Sequence, residues 1–366
     1  MKERIPIMDN TFIKALDLKF PIIQAPMAGG ATTSALVSAV SNQGALGMIG
    51  AGYLKPDDLR HQIKQVKSET NASFGVNLFV PEHYEIKEEQ IEKSKRLIET
   101  YELLLNQQVG EPSLPNRETE MCIYEELIQV VLDENVPVCS FTFGIPSKET
   151  IQTFKRQGVF TIGTATNVSE AIAVESLGMD AVVVQGSEAG GHRGNFLCDS
   201  NESMIGLIAL VPQVVDQVDI PVIAAGGIMD GRGLSSALCL GAEAVQMGTA
   251  FLTCKESGAH PVHQQAILLA KSEDIVTTKA FSGKDARGIE NQFMKEMKEH
   301  EAVLPPFPVQ NALTQNLRKL ASQQKNPEFM SLWSGQSPTL AREETVEQLI
   351  NRVANEAALI LDRIRL

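Results

Sequence analysis

A histidine within a run of small residues is the strongest candidate for chemistry in this chain. His192 ends the segment Gln-Gly-Ser-Glu-Ala-Gly-Gly-His, which begins at Gln185. An imidazole exchanges protons near neutral pH, and flanking glycines leave room for a small ligand. His192 is therefore our candidate acid, base or hydrogen-bonding group. Glu188 is the nearby carboxylate, and it could either orient a ring or accept hydrogen bonds from backbone amides.

Two further glycine segments follow apolar runs. Gly226-Gly227-Ile228 follows one run, and Gly248-Thr249 follows the next. Glycine lets backbone N–H groups approach a phosphate closely, and the N-terminus of a following helix adds partial positive charge. Neither segment contains the Gly-Lys-Ser/Thr of a Walker A loop. The two loops together predict a phosphate site.

Eight short apolar runs rich in β-branched residues must position these loops. We predict strands over Ile22–Ala25, Ala45–Ile49, Phe74–Leu78, Val136–Ser140, Phe160–Gly163, Ala181–Val184, Val222–Ala225 and Ala244–Met247. Strands that are apolar on both faces are typical of a buried parallel sheet. Eight β/α units in about 250 residues favour an α/β fold of the TIM (β/α)8 barrel type, with ligands at the C-terminal ends of the strands. A doubly wound open sheet is the alternative, because periodicity alone does not separate the two.

Helical patterns fill the intervals between strands. They cover Ser34–Asn42, Pro56–Ser68, Lys148–Gln157, Ser169–Gly178, Ile205–Val218 and Gly233–Gly241. A polar insertion at about 82–134 breaks the spacing, with helices predicted over Glu82–Asn106 and Glu118–Asp133. The tail after Phe251 contains a helical pattern over Ala259–Ala270, an apolar piece over Ile275–Thr278, a proline-rich break at 304–308 and helical patterns near Gln310–Gln323 and Thr345–Ile364. We expect a barrel over 1–253 that includes the insertion, a smaller and mostly helical substrate or lid domain over 254–310, and C-terminal helices over 311–366 that pack back on the barrel.

Composition and charge exclude several classes of protein. The chain has 366 residues with 43% hydrophobic residues, too many for a disordered protein. Its net charge of −13 argues against nucleic acid and anionic membranes as partners. No apolar run is long enough to span a membrane, and the charged first 21 residues do not resemble a signal peptide. Five cysteines without a CxxC spacing predict reduced thiols and a cytoplasmic protein. His260 and His263 are spaced as metal ligands can be, but no third ligand accompanies them, so we predict no metal.

Several motifs together resemble the nitronate monooxygenases, formerly called 2-nitropropane dioxygenases. The motifs are Gln-Ala-Pro-Met-Ala-Gly-Gly at 24–30, Asn77 with Phe79 and Pro81, the 185–192 segment, Ala-Ala-Gly-Gly-Ile-Met-Asp-Gly-Arg at 224–232, Gln-Met-Gly-Thr-Ala-Phe at 246–251, Phe-Ser-Gly-Lys-Asp-Ala-Arg-Gly at 281–288 and Leu-Trp-Ser-Gly-Gln at 332–336. The resemblance covers most of the chain and weakens at 82–130 and in the last 25 residues.

The resemblance implies an FMN-dependent barrel with a smaller domain over the active site. It assigns FMN binding to Asn77, Gln185, Gly190, Gly227, Gln246, Met247, Gly248 and Thr249, with Pro26, Met27 and Ala28 lining the isoalloxazine ring. His192 matches the family's active-site histidine. Lys284 and Arg287 could attract an anionic substrate, or they could be solvated surface charges. Trp333 and Gln336 could reach the flavin, or simply anchor a helix.

The activity implied is oxidation of alkyl nitronates, notably propionate 3-nitronate, by O2. The products would be an aldehyde or oxo acid plus nitrite or nitrate, reached by way of a flavin semiquinone, in a detoxification role. The partners would be the nitronate and O2, with a homo-oligomer possible. Similar enzymes leave alternatives open: FMN-dependent enoyl-acyl-carrier-protein reductases, which share the Gly-Gly-His pattern, and NAD(P)H:quinone reductases. A barrel that binds flavin or a phosphosugar without redox turnover is the third alternative.

Overall fold

The structure, a computed structural model, describes residues 10–105 and 112–364 of the chain. The described residues form eleven strands. They are β1 (Ile22–Gln24), β2 (Gly47–Gly50), β3 (Phe74–Phe79), β4 (Val138–Thr142), β5 (Phe160–Ala165), β6 (Ala181–Gln185), β7 (Gly191–His192), β8 (Val222–Ala225), β9 (Ala244–Met247), β10 (Ile275–Thr278) and β11 (Ala286–Ile289).

Sixteen α-helices lie in the same ranges. They are α1 (Thr11–Leu16), α2 (Ser34–Asn42), α3 (Pro56–Glu69), α4 (Glu88–Leu104), α5 (Arg117–Asp133), α6 (Lys148–Arg156), α7 (Val168–Ser176), α8 (Ser200–Ser203), α9 (Leu207–Val215), α10 (Gly231–Cys239), α11 (Thr249–Leu252), α12 (Pro261–Leu269), α13 (Gln292–Met297), α14 (Val309–Leu313), α15 (Gln315–Gln323) and α16 (Val346–Ile364). No helix among them is both long enough and apolar enough to cross a membrane.

Eight parallel strands form a TIM barrel, as predicted. Their order is β1-β9-β8-β6-β5-β4-β3-β2. A single parallel bridge between Ile23 and Leu46 joins β1 to the segment that precedes β2, and so closes the ring. The sheet is therefore a closed barrel and not the open sheet that periodicity left possible. Closure brings the C-terminal ends of all eight strands to one rim.

The side chain of Gln24 reinforces this closure. Gln24 is fully buried, its Oε1 accepts the Met48 amide at 3.1 Å, and its Nε2 donates to the Met48 carbonyl at 3.2 Å. These two bonds link β1 to β2 at the point where the backbone pairing consists of a single bridge. A buried amide that satisfies both backbone groups of one residue acts as a local substitute for strand pairing.

Most predicted elements are confirmed with shifted ends. The fourth strand begins at Val138 instead of Val136 because Pro137 has no N–H to donate to the ladder. Helix α4 begins at Glu88, six residues later than expected, and the predicted end at Asn106 lies outside the described residues. The prediction missed β7 and β11, which are short and contain glycine and charged residues.

The two helices of the 82–134 insertion pack in different places. Helix α5 covers β3 beside α3, in the position of a barrel helix. Helix α4 instead buries Ile91 and Ile98 in a second hydrophobic cluster with Phe281, Phe293 and other residues of the tail. Helix α16 returns to the barrel and packs on α10 and α2. The domain bounds expected from the sequence stay a prediction.

All five cysteines are free thiols, which agrees with the reduced state expected from their spacing. Cys139 and Cys254 are buried, and burial raises the pKa of both thiols. A thiol that stays protonated is a poor nucleophile. These two cysteines therefore contribute packing to the core and no nucleophilic chemistry.

Replacing Gln24 by Met should destabilise the barrel. The change keeps the side-chain length but leaves the buried amide and carbonyl of Met48 without these partners. We expect the free energy of unfolding to fall by roughly 2 to 4 kcal/mol, measured by urea denaturation. Gln217→Met, at an exposed position, is the matched control. Equal stability of the two variants would contradict a closing role for Gln24.

Candidate active site

A cavity of about 960 Å³ opens at the C-terminal ends of the barrel strands. It lies between the strand ends and residues of the tail. Twelve of the sixteen residues proposed from the sequence line it: Pro26, Met27, Ala28, Asn77, Gln185, Gly190, His192, Gly227, Gln246, Gly248, Thr249 and Trp333. The barrel thus brings together most of the set, as expected for loops that follow parallel strands.

Four proposed residues do not line the cavity. Met247 is buried in the core between strands and helices. Lys284 forms an ion pair with Glu82 at 2.7 Å. Arg287 donates to the Ser187 carbonyl at 2.8 Å and to Oε1 of Gln336 at 2.7 Å. Lys284, Arg287 and Gln336 therefore hold the tail against neighbouring loops.

A small antiparallel sheet positions His192. Strand β7 pairs with β11, with His192 opposite Ala286. Gln185, at the end of β6, donates from Nε2 to the His192 carbonyl at 3.0 Å, and its Oε1 accepts the Gly194 amide at 2.8 Å. The side chain of Gln185 is thus engaged by its own chain and fixes the segment that carries the histidine.

The imidazole of His192 is half-buried, and its Nε2 lacks a partner. Its ring packs against Phe143, Phe307 and Trp333, with centroids 6.0, 5.7 and 5.5 Å away. The Nε2 atom is inaccessible and forms no hydrogen bond within the part of the chain that the structure describes. A buried polar atom without a partner is costly, so its presence beside a cavity is typical of a ligand-binding group.

The pKa of His192 is lowered to about 3, mainly by burial and in addition by the positive charges of Lys284 and Arg318. The imidazole is therefore neutral at physiological pH. A neutral ring can donate from one nitrogen and accept at the other. It is a weak base for removing a proton from carbon, because the imidazolium that would form is disfavoured.

The two glycine loops form the polar cradle expected of a phosphate site. Gly226 and Gly227 have φ values of 136° and 66°, a conformation that glycine adopts at little cost. The amides of Gly227, Ile228, Gly248 and Thr249 donate to no other residue within 10–105 and 112–364. A methyl group at Gly248 would meet only Ala25 and Met27, at 3.7 and 3.8 Å, and would fill cavity space.

Comparison with known proteins identifies the family. The model of the nitronate monooxygenase family matches residues 10–356. The chain belongs to the nitronate monooxygenase family. It is 49% identical to a probable nitronate monooxygenase of Staphylococcus haemolyticus (strain JCSC1435), over 98% of this chain and 99% of that protein. It is therefore an enzyme of an oxidoreductase family.

Two solved structures share the fold and much of the sequence. A nitroalkane oxidase from Streptomyces ansochromogenes superposes with a TM-score of 0.89 and 38% identity, over 97% of this chain and 100% of that one. FabK from Thermotoga maritima superposes with a TM-score of 0.77 and 32% identity, over 97% and 98% of the two chains. The higher score and identity favour the nitronate monooxygenase assignment.

Glu188 and Gly190, both in the 185–192 segment, have structural roles. Glu188 accepts the Leu207 amide with both carboxylate oxygens, at 2.9 and 3.0 Å, at the start of α9. The sequence left two roles open for Glu188, to orient a ring or to accept hydrogen bonds from backbone amides. In the structure it accepts from a backbone amide. A methyl group at Gly190 would lie 2.5 Å from the Gly335 nitrogen, so glycine is needed here for close packing of the tail.

Sequence reasoning missed several lining residues. Tyr53, Phe79, Thr142, Phe143, Thr164, His260, His263, Asn311, Gln315 and Arg318 are among them. Phe143-Gly144 directly follows β4, so inspection of that loop would have found Phe143. Arg318 lies within a predicted helix, and no motif marks it. Its position depends on how α15 packs above the barrel.

The stability of this enzyme should depend on the protonation of His192. Its pKa of about 3 in the folded state is far below the value near 6.5 of an unfolded histidine. Between pH 6.5 and 3, the imidazole is therefore protonated in the unfolded chain but not in the folded one. The free energy of unfolding falls as the pH falls through that window.

In His192→Gln, the slope of unfolding free energy against pH should be shallower by up to about 1.4 kcal/mol per unit between pH 6.5 and 5. Urea denaturation at several pH values measures this slope. His61→Gln, at an exposed position, is the control and should keep the wild-type slope. A wild-type slope in His192→Gln as well would show that the imidazole is not held neutral.

Proposed function

We propose that this enzyme uses FMN to oxidise alkyl nitronates with O2, with propionate 3-nitronate as a substrate. The products are an aldehyde or oxo acid plus nitrite or nitrate. One observation carries the proposal: a neutral, half-buried imidazole with an unpartnered Nε2 borders the same cavity as a glycine cradle of free amides. Family membership and the similarity to a nitroalkane oxidase support it.

The residues that line the cavity fit FMN. The amides of Gly227, Ile228, Gly248 and Thr249 would hold the phosphate without a basic side chain, as helix and loop N–H groups do elsewhere. Asn77 donates to Ser140 and Thr142, which leaves its Oδ1 for a ring N–H. Gln246 lines the cavity and can meet polar ring atoms. FMN would supply the electron acceptor for the nitronate and the route to O2.

The protonation state of His192 favours a nitronate over a neutral nitroalkane. A nitronate has already lost its α-proton, so it needs only a hydrogen-bond donor for its oxygens. The neutral imidazole supplies this from Nε2–H. A nitroalkane would need a base, and a pKa of about 3 makes His192 a weak one. The ring neighbours Phe143, Phe307 and Trp333 keep water from this contact.

The second candidate function is FMN-dependent enoyl-acyl-carrier-protein reduction, which the similarity to FabK supports. A quinone reductase on the same scaffold would, like the enoyl reductase, take its electrons from NADH or NADPH. A barrel without redox turnover is disfavoured by the oxidoreductase family to which the chain belongs. A cytoplasmic location and a homo-oligomeric state stay predictions from the sequence.

Oxygen consumption with propionate 3-nitronate tests the proposal. We expect a purified protein with a flavin absorbance band that consumes O2 when the nitronate is added. Anaerobic NADH or NADPH should bleach this band slowly or not at all. Rapid bleaching by either nucleotide, without oxygen consumption on the nitronate, would favour the reductase.

His192→Ala should retain FMN and lose most turnover. The glycine cradle is separate from the imidazole, so the flavin absorbance per protein should match the wild type. Loss of the Nε2 contact should lower kcat/KM for propionate 3-nitronate by about 100-fold or more, the range for a positioned hydrogen-bonding or acid–base group. His61→Ala is the surface control. Unchanged turnover in His192→Ala would remove this residue from the mechanism.

A further inference from the structure

Arg318 is a cation at the active-site cavity that no carboxylate neutralises. The residue lies on α15 and lines the cavity. Its guanidinium is held by neutral groups: Nε donates to Thr314 Oγ1 at 3.1 Å, and Nη2 donates to the carbonyl and Oδ1 of Asn311 at 2.7 and 2.9 Å. These bonds fix its orientation and leave its positive charge without a counterion.

The other described residues that line the cavity do not neutralise this charge. Among the described residues that line the cavity there is no Asp, Glu or Lys, and Arg318 is the single arginine. Two other partly buried cations have carboxylate partners: Lys284 pairs with Glu82 and Arg352 with Glu344. Burial lowers the pKa of Arg318, which records the cost of holding this charge away from water. Arg318 is half-buried and lines a cavity without a counterion, so an anionic ligand is the expected partner here.

A second donor lines the same cavity as Arg318. No hydrogen bond joins Arg318 Nη1 to the part of the chain that the structure describes. Tyr53, an exposed residue, also lines the cavity and is within electrostatic range of Arg318. Its hydroxyl has no hydrogen-bond partner among the described residues. A guanidinium N–H and a phenol O–H on one cavity provide two donors, which suits the two oxygens of a carboxylate.

His192 and Arg318 line the cavity from two different parts of the fold. His192 is carried by the barrel and its β7 strand, whereas Arg318 is carried by a helix of the tail. The glycine cradle, formed by the loops after β8 and β9, is a third and separate position. A phosphate has its own donors in that cradle, so it does not need Arg318.

We propose that Arg318, assisted by Tyr53, binds a carboxylate at the end of the substrate remote from the nitronate group, and so makes the enzyme selective for carboxylated nitronates. This assignment rests on the proposed nitronate oxidation for the identity of the reacting group. It adds a specificity-determining residue, and it makes the carboxylate of the substrate one of the groups that the enzyme recognises. An alkyl nitronate of equal length without a carboxylate would leave the Arg318 charge unpaired, and discrimination follows from that cost.

The test compares propionate 3-nitronate with propyl-1-nitronate, which has the same chain length without the carboxylate. In Arg318→Met, the ratio of kcat/KM values for the two substrates should fall at least 30-fold, mainly through KM for the carboxylated one. Arg318→Lys should recover part of the ratio because it keeps the charge. Lys319→Met, an exposed neighbour on α15, is the matched control and should keep the wild-type ratio. An unchanged ratio in Arg318→Met would overturn the proposal, as would an equal loss on both substrates or a loss of FMN content.

A binding measurement separates this proposal from the proposed function. Titration of the flavin-loaded enzyme with 3-nitropropionate and with 1-nitropropane, followed by calorimetry, needs no turnover. The wild type should bind 3-nitropropionate at least 10-fold more tightly, and Arg318→Met should remove the difference. If the wild type oxidises neither nitronate but shows this difference, the carboxylate site stands and the proposed function fails. If no preference for the carboxylate is found, the Arg318 proposal is wrong whatever the activity.

Discussion

The hydrogen bonds of Gln185 connect the barrel to the chemistry. This side chain ends β6, and it binds the backbone of His192 and Gly194, on and just beyond β7. That link ties the glycine-rich loop directly to the end of a barrel strand. Arg193, which is buried, donates from Nη1 to Gln185 Oε1 at 3.2 Å and to the Gly186 carbonyl at 2.8 Å, so both ends of the loop are held. The rigidity of a barrel strand is thereby passed to the histidine.

An acidic protein can hold anions when its local charges differ from its net charge. The chain carries a formal charge of −13, yet the described lining of the cavity contains no carboxylate and one arginine. Surface charges are screened within about 10 Å by salt, whereas buried groups are screened less. The free amides of the cradle and the guanidinium of Arg318 therefore dominate the field that a bound anion meets. The charge of Arg318 also lowers the pKa of His192 and so favours its neutral form.

The sequence predicted what depends on local pattern and missed what depends on packing between distant segments. Buried parallel strands are recognisable because both faces are apolar, and the loops after them are placed by topology alone. Met247 shows the limit: it belongs to a motif at the rim, but alternation along β9 turns its side chain into the outer core. Helix α4 joined a cluster with residues almost 200 positions away, and Arg318 reached the cavity through α15. No periodicity within either helix specifies those contacts.

The strained backbone of Phe143 shows how the tail shapes the site. Phe143 has a φ of 70°, which is unfavourable for a bulky side chain and persists where surrounding contacts enforce it. Its ring contacts Phe79, Phe307 and His192, and the Lys284 ammonium lies 5.1 Å from its centroid. The ion pair of Lys284 with Glu82 holds that ammonium in place. Lys284 therefore acts on the cavity through an aromatic ring and through its field on His192, although its side chain does not line the cavity. From the sequence, Lys284 could either attract an anionic substrate or be a solvated surface charge; in the structure it packs against the wall that holds the imidazole.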